Sequence, residues 1–201
     1  IKNQPDLGKV WQHIRESFNS PLLWNLIAVI ALMFVNWSVE AIKWKISIKQ
    51  IQQISFGKAF KAVLSGVSFS VSTPNRVGEY LGRVMYMDEG NKLKTISIII
   101  VGSISQLIIT LLMGSIGLVL LRSAIEEGHL ISSMWMKVVQ YGVLFVLSVL
   151  TLFYFKLSLL IKWVDRLPGS GRFAYLVRAL EDFNATLLLK LLSLSLFRYI
   201  V

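Results

Sequence analysis

Between Thr95 and Leu121 the chain carries no charged residue. As a helix that stretch would reach roughly 40 Å at ~1.5 Å per residue, longer than the ~30 Å hydrocarbon core of a bilayer. A buried helix of a soluble core needs no such length. Three further apolar runs accompany it: Pro21 to Trp44, Val138 to Ile161, and Leu187 to Val201. Composition agrees, with 55% hydrophobic and 16% charged residues, where soluble domains carry about 25% charged. Disorder is excluded, because it requires low hydrophobicity. The fold class this predicts is all-α, a polytopic helical membrane protein.

The termini bear on domain organisation. The chain begins at Ile1 without a methionine and ends at Val201 inside an apolar run. The last run is shorter than the ~20 residues a spanning helix needs. The expectation is one incomplete transmembrane domain over 1–201, cut from a longer polypeptide. Its spans would lie at about 21–44, 95–121, 138–161 and a truncated 187–201. Trp24 and Trp44, near opposite ends of the first run, suit an aromatic belt.

Charge sets orientation. Lysine and arginine number 21 against 11 acids, a net +10, but the charges cluster at the ends of apolar runs rather than along one basic stripe. That points to membrane topology and anionic headgroups rather than nucleic acid. Lys43, Lys45 and Lys49 carry no acid among them, so the first run should end in the cytoplasm. The loop 122–137 is balanced, with Arg122 and Lys137 against Glu126 and Glu127, and should face outward. Lys156 to Arg178 is basic and should face inward.

Lys92 and Lys94 also favour the cytoplasm, so the stretch between Gln50 and Lys94 must cross an even number of times. Phe56 to Ser72 reaches only ~25 Å as a helix, and the turn Thr73-Pro74-Asn75-Arg76 follows at once. A second short apolar stretch, Val77 to Met87, completes a hairpin over about 56–87. It is read as re-entrant, because irregular backbone at membrane depth is tolerated where protein or water surrounds it. The small-residue face Ala59, Ala62, Gly66 and Ser70 suits the close packing this needs. The alternative is a flat interfacial hairpin with Lys58 and Lys61 in the headgroups.

Within that hairpin Thr73 reads as a helix cap and Pro74 as the first helical position. Arg76, Glu79, Tyr80 and Arg83 then share one helix face. A helix N-terminus with two guanidinium forks beside it makes an anion site, and Glu79 would orient the arginines. The plainer alternative is an Arg–Glu–Arg cluster that fastens the hairpin to its neighbours. Arg198, inside an otherwise apolar segment, either snorkels or faces a polar cavity shared with the hairpin. Asn36 and Glu40 form a further polar pair, and Glu40 has Lys43 one turn away as its nearest ion-pair partner. Gln106 reads as an interhelical hydrogen bond.

Several chemistries are missing from the sequence. Without cysteine there is no disulfide framework or thiolate zinc site. His13 and His129 lie far apart and without metal-ligand spacing. Gly114 and Gly117 sit inside a span and lack the lysine and strand context of a phosphate loop. Asp88-Glu89 is a lone acidic pair in a turn. No catalytic residue, metal or cofactor is expected.

The segments Asn36-Trp37-Ser38-Val39-Glu40-Ala41-Ile42-Lys43-Trp44, Ala59-Phe60-Lys61-Ala62-Val63-Leu64-Ser65-Gly66 and Thr73-Pro74-Asn75-Arg76-Val77-Gly78-Glu79-Tyr80-Leu81-Gly82-Arg83 resemble the flippase-like transmembrane family. That family includes the membrane half of lysylphosphatidylglycerol synthase, the multiple peptide resistance factor. Its pattern of proline, arginine, glycine, glutamate and a following arginine falls on Pro74, Arg76, Gly78, Glu79 and Arg83. Leu196-Phe197-Arg198-Tyr199 is similar to the start of a further family helix. The resemblance covers roughly Leu22 to Val201.

It implies a multi-pass protein of the bacterial cytoplasmic (inner) membrane that moves a polar-headed lipid between leaflets. It also implies re-entrant helices and no catalytic activity of its own. The headgroup-binding set would be Arg76, Arg83, Glu79, Asn75, Tyr80 and Arg198, with Thr73, Pro74 and Gly78 shaping the hairpin turn. The partner would be a phospholipid or another polar-headed lipid. The rival reading is a non-transporting membrane subunit that scaffolds or anchors a larger complex. A weaker third is a lipid-linked transferase embedded in the membrane.

Overall fold

The computed structural model describes residues 7–18, 22–74, 77–127, 132–156, 180 and 183–201. Among the described residues every regular element is helical. Helix α1 (Leu7–Phe18) precedes the long α2 (Leu22–Ile48). A hairpin follows, made of α3 (Phe56–Ser72) and α4 (Val77–Val84). A 3-10 turn at Glu89–Asn91 enters α5 (Lys92–Leu120), followed by α6 (Arg122–Glu127), α7 (Ser133–Phe155) and α8 (Ala185–Ile200). Among the described residues three stretches are long and apolar enough to cross a membrane: Leu23–Ile48, Glu89–Leu120 and Met134–Phe155.

The helices outrun the apolar runs that announce them. α2 continues past Trp44 to Ile48 and α5 starts at Lys92 rather than Thr95. Lysine is a good helix former, so a change of composition does not itself stop a helix. α7 begins at Ser133 and ends at Phe155, with Lys156 at its C-cap. Residues 157–161 of the expected third span, and most of the basic segment to Arg178, lie outside the described residues. α8 starts at Ala185, where the Asn184 side chain accepts a 2.8 Å hydrogen bond from the Leu187 N–H.

α2 has two regimes. From Trp24 to Val35 it is exposed throughout, the pattern of a helix whose neighbour is lipid. Beyond that its apolar positions Ala41, Trp44 and Ile48 are buried. Trp44 therefore departs from the aromatic-belt expectation. It is 2% exposed and packs with Ile54, Ala59, Ala62, Val63, Met87 and Ile99, where the hairpin lies against α2 and α5.

The hairpin is held by close backbone approach. Ala59, Ala62 and Gly66 are buried on α3, and Gly78 and Gly82 on α4. A β-carbon on Gly82 would lie 2.5 Å from the Gly66 α-carbon, and one on Gly78 would strike the Phe69 carbonyl. Only glycine lets the helices cross so closely. In lipid, where apolar surface gains little by association, such packing contact is what joins helices.

α5 is the central element and touches α2, α4, α7 and α8. Its far side forms a second apolar cluster in which Ile98, Val101 and Ile108 meet Tyr154, Leu188 and Leu191. Two polar ties run through that cluster. The Ser105 and Ser195 hydroxyls are 2.9 Å apart, and the Tyr154 hydroxyl donates to the Leu188 carbonyl at 3.1 Å. Bonds of this kind across membrane helices are worth about 0.6 kcal/mol each, up to ~2.

Candidate functional site

One face of α2 is polar. Asn36, Glu40, Lys43 and Ser47 recur at helical spacing, beside the apolar stripe that receives the hairpin. Around them α2, α4, α5 and α8 enclose a cavity of about 530 Å³, lined among others by Asn36, Glu40, Lys43, Glu79, Gln106 and Arg198. Ser103 and Thr110 extend its polar lining along α5.

A chain of four charges crosses this region. The Arg83 Nη2 donates to Glu79 Oε1 at 2.5 Å and to Glu40 Oε1 at 2.8 Å. The other Glu40 oxygen, Oε2, accepts from Arg198 Nη1 at 2.6 Å. Arg198 Nε in turn donates to Asn36 Oδ1 at 2.9 Å. The Arg83 and Glu40 side chains are only 5% and 8% exposed, so they are largely shielded from solvent. Arg198, at 30%, and Glu79, at 26%, open toward the cavity. Charges this deep are tolerable only when paired and hydrogen-bonded. Arg83 retains one buried polar atom, Nε, without a partner.

The chain matches the family described as the lysylphosphatidylglycerol synthase TM region over residues 4–200. It belongs to this family. With three apolar helices long enough to span, this lysylphosphatidylglycerol synthase-type membrane region is an integral membrane protein. No curated protein and no solved structure matches the chain.

The fold of this family member brings together part of the set read from the sequence. Glu79, Arg83 and Arg198 meet, and they meet on Glu40 and Asn36. Arg76 and Asn75 lie outside the described residues. Tyr80 packs against the apolar cluster around Trp44 and is not among the residues lining the cavity.

Three expectations are corrected. Glu40 does not pair with Lys43, its neighbour one turn away. Both its oxygens go to arginines on other helices, and Lys43 Nζ instead donates to the Gly102 carbonyl at 2.8 Å. Lys43 is also 2% exposed, so it does not belong with the exposed Lys45 and Lys49 as a rim charge. Among the described residues Gln106 shows no interhelical bond, and its Oε1 is buried without a partner at the cavity wall.

Thr73 closes the hairpin turn. Pro74 is in 3-10 conformation, α4 is described from Val77 with residues 75 and 76 outside the described residues, and Thr73 is the extended C-cap of α3. Its hydroxyl serves both helices, donating to the Phe69 carbonyl at 2.9 Å and accepting from the Gly78 N–H at 2.8 Å. The Thr73 hydroxyl thus reaches an N–H of α4 from five residues back.

Sequence reasoning missed Lys43 and treated Glu40 as a local partner. A signal was present. Polar residues at 36, 40, 43 and 47 on an otherwise apolar helix mark a stripe that must face protein or water.

Proposed function

We propose that this domain moves a polar-headed lipid between the leaflets of the bacterial cytoplasmic membrane, holding a phosphate-containing headgroup in the cavity between α2, α4, α5 and α8. The observation that carries the reading is Arg198. It lies on the wall of a polar cavity inside a bundle of membrane helices, tied to Glu40 through one end of its guanidinium and partly open at the other. Planar guanidinium forks suit phosphate oxygens. Carrying a headgroup through hydrocarbon is costly unless its charge is met on the way. Charged walls on several helices lower that cost while acyl chains stay in lipid.

The apolar surroundings suit the other half of such a molecule. Asn36 belongs both to the polar cavity and to a neighbouring groove of about 350 Å³ lined by Val29, Leu32, Met33 and Trp37. A headgroup in the first space would leave a chain running along the second. In this reading Glu79 and Glu40 position the arginines, and the short α3–α4 hairpin dips into the bilayer rather than lying flat on it.

The test is translocation of a fluorescent phospholipid in reconstituted vesicles. Arg198→Ala is expected to abolish headgroup movement while leaving insertion and helical content intact. Undiminished transport by that variant would remove the mechanism. The rival, a scaffolding subunit, draws on the deep burial of Arg83 and Glu40, which suits a purely structural tie. It predicts that Arg198→Ala alters assembly with other membrane proteins.

A further inference from the structure

The first helix carries an apolar stripe that the bundle leaves open. In α1 the apolar residues Leu7, Val10, Trp11, Ile14 and Phe18 recur at steps of three and four, and the positions between them are glycine, serine or polar and charged residues. That spacing makes one narrow stripe along a helix. At 3.6 residues per turn Val10 and Trp11 stand about 100° apart and bound it on its two sides. Both are open, at 42% and 67% exposed. The substantial neighbour of α1 among the described elements is α2, and contact with it covers neither edge.

Where α1 is tethered decides what meets the stripe. Its 12 residues make a helix of about 18 Å, too short for a ~30 Å hydrocarbon core. A helix of that length is marginal in water unless one face is packed. Four steps of ~3.8 Å between α-carbons lead from Phe18 to Leu22, so the end of α1 stays within ~15 Å of the start of α2. There α2 faces lipid, being exposed from Trp24 to Val35. With 27 residues it is about 40 Å long and reaches past the hydrocarbon. Trp24, exposed in the first turn of α2, suits the headgroup level that tryptophan prefers.

We propose that α1 is an interfacial helix, lying along the headgroup–acyl boundary of the leaflet in which α2 begins. Val10 and Trp11 dip among the acyl chains, while the exposed Gln12 and Glu16, on the opposite side, meet headgroups or water. The partner of this surface is the bilayer itself. Amphipathic helices hold such a position by burying one apolar face, and the ring of Trp11 has both an apolar body and a polar N–H for that boundary. So placed, α1 sets the depth of α2, and with it the depth of Asn36 and Glu40. The assignment is independent of what occupies the cavity.

The chain contains no cysteine, so a single introduced one carries a spin label at a known place. The experiment labels Val10→Cys, Gln12→Cys and Val29→Cys in the full chain, each reconstituted in phosphatidylcholine vesicles. Collisions are measured with oxygen, which concentrates in the membrane, and with a water-soluble nickel chelate. Oxygen should dominate at position 10 and the chelate at position 12, an inversion across two residues, with position 29 as the lipid-facing reference. Adding Trp11→Asp to Val10→Cys should expose the label at position 10 to the chelate.

Chelate access at both 10 and 12 would put the stripe in water and overturn the proposal. Oxygen dominance at both would bury the whole helix and overturn it equally. Spin–spin broadening at position 10 that vanishes on dilution with unlabelled protein would assign the stripe to a second copy instead of lipid. An unaltered label at position 10 in the Trp11→Asp variant would remove Trp11 as the anchor. All four variants change exposed side chains, so insertion and helical content should match the wild type.

Discussion

Arg83 and Arg198, on helices far apart in the chain, meet on the two oxygens of one carboxylate, that of Glu40, at 2.8 and 2.6 Å. This joins α4 of the hairpin, the buried end of α2 and the last helix through a single side chain. Glu40 is therefore the residue on which the polar part of the bundle converges.

Replacing Glu40 with glutamine keeps the shape and removes the charge between the two guanidinium groups. Breaking a buried ion pair from one side costs about 3–5 kcal/mol. The Glu40→Gln variant should unfold at correspondingly lower denaturant concentration in detergent. Adding Arg198→Ala should recover part of the loss, because one of the stranded cations is then gone. A Glu40→Gln protein as stable as wild type would show that the network is not desolvated.

Gly82 tests the helix crossing. A β-carbon there would lie 2.7 Å from the Ser65 carbonyl carbon and nearer still to Gly66. Backbone cannot yield as a flexible side chain can, so Gly82→Ala should destabilise by about 1–3 kcal/mol, the range for overpacking. Gly57, on the same hairpin, has open space around it. Gly57→Ala should be neutral or stabilising by up to ~1 kcal/mol. Thermal unfolding of the two variants side by side separates crowding from helix propensity.

Thr73→Val removes the hydroxyl that bonds both the Phe69 carbonyl and the Gly78 N–H while conserving shape. The loss should be about 1–2 kcal/mol, one or two hydrogen bonds. Thr73→Ser should retain most of it. Faster proteolysis or hydrogen exchange at the start of α4 in Thr73→Val, and not in Thr73→Ser, is the expected signature.

The serine pair between α5 and α8 should couple weakly. A double-mutant cycle on Ser105→Ala and Ser195→Ala is expected to return about 0.6 kcal/mol, the usual value for a hydrogen bond between membrane helices. Ser195 also bonds the Leu191 carbonyl of its own helix at 2.8 Å, so it has an alternative when Ser105 is lost. A coupling above ~2 kcal/mol would mean that the bond organises the α5–α8 contact rather than decorating it.

Much of this bundle is legible residue by residue. The long uncharged run at Thr95–Leu121 dictates a spanning helix. The short apolar stretches either side of Thr73-Pro74 dictate a hairpin, and Ala59, Ala62 and Gly66 name its packing face. These follow from local rules, because helix formation and transfer out of water depend on neighbours in the chain. The local rule fails at Lys43. Spacing of three residues suggests an ion pair with Glu40, and clustering with Lys45 and Lys49 suggests the membrane rim. Both are wrong for one reason: charge pairing is decided by which groups the fold brings within a few ångströms after desolvation.

By itself, then, the sequence determined that these helices leave water, where they turn back, and which faces are narrow enough to touch. Only the tertiary structure decided that Glu40 serves two arginines from α4 and α8 and that Lys43 is left with a neutral carbonyl. Apolar length and glycine spacing act along one helix and can be read from it. The partner of a buried charge is set by three other helices, whose crossing no single segment encodes.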